Sequence, residues 1–190
     1  MAIRDIVLMG NPSLMRVADP VADPTAPEVA DLVADMQETL QAIDANGLAA
    51  PQIEVPLRVV VYWVPPHRIP EGAKMDPVPW TPLINPIIEP LSEQRKPIWE
   101  RCLSLPGLYG KVARYTDIRI TYRNLDGSQV DRIARGYHAM LLQHECDHLD
   151  GVLYPQRMDD MTQFTFTSEF GGDADLASGY FSYDADEFYE

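Results

Sequence analysis

Cysteine is nearly absent from this chain. Its 190 residues include two, Cys102 and Cys146, too few for a disulfide scaffold. Long apolar runs are missing as well. The longest, Val59 to Val64, has the length of a strand and falls far short of the roughly 18 residues that span a bilayer. The opening Met1-Ala2-Ile3-Arg4-Asp5 lacks the basic start and long apolar stretch of a secretory signal, so no membrane partner and a cytoplasmic location are expected. Positive charge is scarce: 15 Lys and Arg stand against 29 Asp and Glu, for a formal net charge of −14. Without a basic cluster to neutralise phosphates, a DNA or RNA surface is not expected. Phenylalanine is missing from everything before residue 164; all five (Phe164, Phe166, Phe170, Phe181 and Phe188) lie in the last part of the chain.

What is present reads as one folded body with an unusual end. The chain is 46% hydrophobic and 23% charged, ordinary for a globular protein with a single core. Arg157 is the last basic residue, and nine acids follow it, from Asp159 to Glu190. The expected division is therefore a body over 1–158 and an acidic, aromatic extension over 159–190. An extension with so many large rings is expected to pack partly back on the body.

Residues 1–24 are broken by Pro12, Pro20 and Pro24 and read as irregular. A long helix is expected over 25–46. Thr25 and Glu28 have capping-box spacing, and Pro27 suits a first turn. Val29, Leu32, Val33, Met36, Leu40 and Ile43 recur at helical steps, and Gly47 stands where a helix would stop. Strands are expected at 57–64, 81–88, 97–103, 118–123 and 129–134, the last two joined by Asp126-Gly127 as a hairpin turn. A second helix is expected over 136–150, stopped by Gly151. The fold class is thus α+β, with mixed or antiparallel strands packed around this second, HExxH-bearing helix and the first long helix beside it.

The second helix carries His144-Glu145-Cys146-Asp147-His148. Residues four apart share one helical face, so both imidazoles can reach one metal ion. Glu145 sits one step round, placed to handle a proton beside that ion. Cys146 lies on the far side and reads as a buried thiol. A catalytic ion usually takes a third protein ligand, and Cys102, His67, His138 and a downstream acid all remain candidates. Tyr137, Met140 and Leu141 share the face of His144 and are candidates to line an apolar substrate pocket. One rival class is a zinc endopeptidase, since His144-x-x-x-His148-x-x-Gly151 opens the metzincin pattern. The third histidine of that pattern is replaced here by Tyr154, and Glu169 would have to serve in its place.

Three segments in order resemble the peptide deformylase family. Ala45-Asn46-Gly47-Leu48-Ala49-Ala50-Pro51-Gln52 resembles its Gly-x-Gly-Leu-Ala-Ala-Pro-Gln motif. Glu100-Arg101-Cys102-Leu103-Ser104 resembles Glu-Gly-Cys-Leu-Ser, and Gln143-His144-Glu145-Cys146-Asp147-His148 matches Gln-His-Glu-x-Asp-His throughout. The resemblance spans about residues 5–158. It implies Cys102, His144 and His148 as metal ligands, Glu145 as general base and acid, and Gln52 with the backbone N–H of Leu103 as oxyanion donors. It implies one divalent ion per chain, Fe²⁺ in the first place, with Zn²⁺, Ni²⁺ or Co²⁺ able to occupy the site. The implied reaction removes formyl from N-formylmethionyl peptides and releases formate; a non-catalytic deformylase-like protein is the remaining alternative. Gly47 and Leu48 are expected against an extended peptide, with low bulk where backbone meets ligand. Two positions depart from the motifs: Ala45 and Arg101 each replace a glycine. A long cation at 101 is expected to narrow the entrance or to bind the substrate's backbone or a carboxylate. Some deformylases dock on the ribosome through a basic C-terminal helix, and the acidic extension here argues against that route.

Overall fold

The computed structural model describes residues 2–69, 74–169 and 181–182. Helix α1 runs over Pro27–Ile43 and buries Val29, Leu32, Val33, Met36 and Leu40 along one stripe, the face that the three- and four-residue spacing requires. Both of its ends differ from expectation. Ala26 is the N-cap and offers no side-chain cap, because the Thr25 hydroxyl instead donates to Asp23 Oδ1 at 2.7 Å within the preceding turn. No capping box with Glu28 forms. At the other end Asp44, not Gly47, takes the left-handed conformation, at φ 50°. Gly47 belongs to the element that follows, strand β1 (Gly47–Ala49).

Among the described residues eight further strands follow: β2 (Val59–Val64), β3 (Val78–Pro90), β4 (Arg95–Cys102), β5 (Leu105–Tyr115), β6 (Asp117–Arg123), β7 (Gln129–Arg135), β8 (Phe164–Phe166) and β9 (Phe181–Ser182). They form a five-stranded sheet in the order β1-β2-β3-β6-β7 and a four-stranded sheet in the order β8-β5-β4-β9, with antiparallel neighbours throughout. The β6–β7 hairpin turns at Gly127, whose φ of +79° is one that favours glycine. Strand β5 was not among the expected strands. Its alternation is masked by Pro106, Gly107 and Gly110 and by Arg114, a cation on an inward position. The architecture is α+β, with antiparallel sheets and two long helices.

Helix α2 (Gly136–Leu149) is buried at nearly every position and touches β1, β2, β3, β5, β6 and β7. Its apolar residues Tyr137, Ala139 to Leu142, Cys146 and Leu149 join α1 and the larger sheet in the main core. A smaller cluster of Cys102, Leu105, Val112, Leu153 and Tyr154 fills the other side. The N-terminal segment is irregular, as expected, and is laced across the body by its backbone. Val7 donates to Gln52 O at 2.9 Å, Met9 to Ser104 O at 2.8 Å, and Ala18 to Leu149 O at 2.8 Å.

The start of the extension packs back on the body. Phe164 is partly buried against the smaller cluster, its ring 6.2 Å from that of Tyr154, whereas Phe166 is exposed. Strand β9 pairs with β4 at Trp99 and Glu100. Phe170 and Phe188 lie outside the described residues. Among the described residues no helix is long and apolar enough to cross a membrane.

One half-buried titratable group lies apart from the histidine pair on α2. His138 Nε2 lies 3.1 Å from the Tyr62 hydroxyl, which also meets the Arg132 guanidinium. Burial, with Arg132 adding to it, pushes the His138 pKa down to about 4. An unfolded histidine titrates near 6.5, so on acidification the unfolded chain takes up this proton first. His138 therefore contributes stability above about pH 6.5 that is lost as pH falls toward 4. Urea midpoints measured from pH 7 to 4 are expected to fall less steeply in His138→Gln than in the parent protein; parallel slopes would exclude the effect.

Candidate metal centre

Strand β4 ends at Cys102, and α2 presents His144 and His148 one helical turn apart. These three residues are buried, and their ligand atoms all lie within 4.8 Å of one another. Cys102 Sγ is 3.3 Å from His148 Nε2. The two imidazole rings stand edge to face, with centroids 5.0 Å apart. The centre lies where the two apolar clusters meet: Cys102 belongs to the smaller one, and α2 is embedded in the larger.

Each ring is constrained differently. His144 Nδ1 lies 2.7 Å from Glu100 Oε2, and a carboxylate there holds the proton on Nδ1 and leaves Nε2 for an ion. Burial opposes charging His144, but Cys102 and Glu100 together hold its pKa well above the ordinary value. His148 is held well below, by burial first and then by the positive neighbours His144 and Arg114. Its Nδ1 is buried without a hydrogen-bond partner.

Glu100 is fixed from behind by a buried ion-pair network. Arg114 donates to it through Nε at 2.6 Å and Nη2 at 2.9 Å, and through Nη1 to Asp147 Oδ2 at 2.6 Å. Arg157 closes the other side of Asp147 at 2.8 Å. Burial works against the Glu100 charge, but Arg114 and His144 outweigh it and hold the carboxyl at about 2. The cation that matches Glu100 is thus Arg114 on β5, fourteen residues further along the chain. Gln143, which belongs to the same motif, is used structurally: it bonds Tyr115 N at 3.1 Å and Tyr115 O at 2.8 Å and so fastens α2 to β5.

Glu145 is buried, and its Oε2 has no hydrogen-bond partner. Burial raises its pKa to about 7. Its side chain lies flat against the backbone of Gly47: a Cβ built there would stand 2.2 Å from Glu145 Oε1. The low bulk expected at Gly47 is thus required by the carboxylate itself. Gln52 is oriented by the Ala49 N–H, which donates to its Oε1 at 2.9 Å. Its amide nitrogen consequently faces Cys102 Sγ at 3.6 Å and Ser104 Oγ at 3.2 Å.

The other sequence candidates are distributed differently. His67 is exposed, and His138 bonds Tyr62 instead. Cys146 is a buried free thiol whose pKa burial pushes up. Tyr154, at the position of a third metzincin histidine, is buried with its ring 6.2 Å from that of His144. Tyr137, Met140 and Leu141 are fully buried in the main core, with Leu48 of β1, and Gly47 is buried beside them. A cleft of about 480 Å³ opens beside Cys102, lined by Leu103, Leu105 and Pro106 and by Arg68 and Arg101. Tyr137, Met140 and Leu141 are not among its lining residues. The spacing argument could not separate an inward helix face from a pocket wall, since both are apolar. Arg68, and the pairing of Arg157 and Arg114 with Asp147, left no signal in the sequence, because these contacts are made by the fold and no motif spacing reports them.

The residues present fit a divalent transition metal. One sulfur and two imidazole nitrogens converge, a donor set suited to such ions, and three protein donors leave coordination open. Glu145 stands beside them with an unsatisfied oxygen. In Glu100→Gln, Arg114 is expected to lose its full ionic partner at a cost of about 3 kcal/mol. The His144 ring loses its anchor, and ion affinity is expected to fall about 10–100-fold. Urea unfolding and chelator competition measure the two effects; unchanged chelator competition would exclude an orienting role for Glu100.

Comparison with known proteins agrees with this arrangement. The family model for polypeptide deformylase matches residues 3–164. Peptide deformylase 2 of Ralstonia nicotianae is 50% identical over 166 residues, covering 87% of this chain and 92% of that protein. Peptide deformylase 1 of Nitrosomonas europaea is 45% identical over 167 residues, 87% and 93% of the two chains. A Met-Ala-Ser-bound crystal structure of a class I type b peptide deformylase from Acinetobacter baumannii superposes with a TM-score of 0.74 at 29% identity, covering 83% of this chain and 99% of that one. A family match over most of the length, together with relatives this similar, places the chain in the polypeptide deformylase family.

Proposed function

We propose that this chain hydrolyses the formyl C–N bond of N-formylmethionyl peptides, adding water and releasing formate and a free amino terminus. The observation that carries the reading is the convergence of Cys102, His144 and His148 beside the partnerless carboxylate of Glu145. Cys102, His144 and His148 would hold the ion, Fe²⁺ in our reading, with Zn²⁺, Ni²⁺ and Co²⁺ as alternatives. When bound, such an ion supplies Lewis-acid chemistry that makes water a nucleophile near neutral pH.

The chain's own residues do the rest. Glu145 takes the proton of the attacking water at Oε2 and passes it to the departing amine, work that suits a carboxyl raised to about 7. Gln52 presents its amide N–H toward the oxygen that becomes negative, and the Leu103 backbone N–H is read as the second donor. Fixed donors of this kind are typically worth about 10²–10³ in rate each. Because Gln52 is pinned through Oε1 by Ala49, it needs no reorganisation as charge develops.

An extended peptide fits against β1, which is the edge of its sheet, using the backbone at Gly47 and Leu48. Backbone pairing of this kind reads little sequence, which suits an enzyme acting on many new chains. The Acinetobacter baumannii relative holds a methionyl peptide, Met-Ala-Ser. We read α2 as the central scaffold of the catalytic body, residues 1–158, and 159–190 as an extension to it. The nine acids of that extension argue against ribosome docking through a basic helix, and a substrate made by the translation machinery supports a cytoplasmic location. The metallopeptidase and non-catalytic readings are not favoured: Tyr154 occupies the third-histidine position, and the ligand and acid–base residues are all present.

Formate release from a formyl-Met tripeptide by metal-loaded protein tests the reading. Glu145→Gln is expected to retain metal and lose at least 10²-fold in kcat; retained turnover would remove Glu145 from its role. Gly47→Ala pushes a methyl into the Glu145 carboxylate, so kcat is expected to fall by 10-fold or more with metal content unchanged, measured by the same assay beside metal analysis.

A further inference from the structure

The ring of Tyr154 is held on three sides. It lies 6.2 Å from that of His144, the two planes 26° apart, and 6.2 Å from that of Phe164, at 63°. On the third side it rests on the backbone of β5, where a Cβ built at Gly110 would stand 2.7 Å from Tyr154 Cε2. Gly110 is the β5 residue paired with Glu100. A glycine thus makes room for Tyr154 just as Gly47 makes room for Glu145, and packing this close fixes the ring and the position of its hydroxyl.

That hydroxyl is buried and has no hydrogen-bond partner among the described residues. A buried polar group left in that state costs free energy, and phenylalanine would fill the same space without the cost. Burial pushes the Tyr154 pKa up, and of the ionisable groups that add to this Cys102 comes first, then Glu100 and Tyr109. The hydroxyl therefore keeps its proton at neutral pH and can serve as a donor. Cys102 and Tyr154 share the smaller buried cluster. Both oxygens of Glu100 are already engaged by Arg114 and His144. The Cys102 sulfur is an anion when it holds an ion, and it then accepts a hydrogen bond more strongly than a thiol does.

We propose that Tyr154 is a positioning residue of the metal centre, whose hydroxyl donates to the Cys102 sulfur, directly or across one buried water, and tempers the electron donation of that sulfur to the ion. Hydrogen bonds to a ligating sulfur tune a metal site without touching the metal. A sulfur that donates less leaves the ion a stronger Lewis acid. The consequence for turnover rests on the deformylase reading and deepens it; the contact itself does not need a substrate.

The test uses full-length protein loaded with Co²⁺, whose sulfur-to-cobalt charge-transfer band reports how strongly the thiolate donates. Tyr154→Phe keeps the ring and its three contacts and removes only the hydroxyl. Its band is expected at longer wavelength than that of the parent protein, because the sulfur without its hydrogen bond donates more. Phe164→Leu loosens the packing around the ring and keeps the hydroxyl, and its band is expected to stay in place. A band unmoved in Tyr154→Phe, or one that moves as far in Phe164→Leu, would overturn the proposal. In formate release Tyr154→Phe is expected to lose about 3- to 10-fold in kcat with KM unchanged, the pattern of a weaker Lewis acid in the reacting step. A shifted band in Tyr154→Phe together with no formate from the parent protein would overturn the deformylase reading and leave the sulfur contact standing.

Discussion

The structure turns on one buried carboxylate. Glu100 has no access to solvent, so its charge must be matched on the spot. Arg114 on β5 and the His144 ring on α2 do this. The same contacts connect the smaller sheet to the helix that fills the larger one. Cys102 lies two residues further along β4 and is buried like Glu100, although the register with β5 shifts between the two. Anchoring Glu100 therefore also sets where the thiol meets the two imidazoles.

The rest of the centre is organised by crowding and by hydrogen bonds made in advance. Gly47 lets the Glu145 carboxylate lie against β1. Ala49 turns the Gln52 amide so that nitrogen, not oxygen, faces the sulfur. Arg157 and Arg114 hold Asp147 between them, which keeps the last turn of α2 in register with the network. The polar groups of this centre are thus largely committed to partners, and Glu145 Oε2 and His148 Nδ1 stand out as buried atoms without one.

Much of this was legible in the sequence for specific reasons. The buried stripe of α1 and the histidine spacing of α2 are periodic, and period is the strongest local signal a chain carries. The thiol could only be shortlisted, since the meeting of β4 with α2 is a long-range event that no spacing reports; the family resemblance singled it out. Other features were hidden because one residue type serves two purposes. Gly47 looked like a helix stop and is a seat for Glu145. Thr25 looked like a cap and serves a turn. Tyr137, Met140 and Leu141 have the pattern of a pocket wall and are core. Strand β5 was missed because its inward Arg114, the key to the ion-pair network, breaks the apolar alternation by which strands are recognised.

The N-terminal segment carries a further consequence. Its backbone bonds to Gln52, Ser104 and Leu149, so a segment made before α2 waits for a partner at the end of that helix. Its bond from Ala18 to Leu149 cannot exist until the whole of α2 has been synthesised. Biosynthesis thus runs opposite to assembly at this seam: a segment made before the sheets is fastened after them, once residue 149 has cleared the ribosomal exit tunnel.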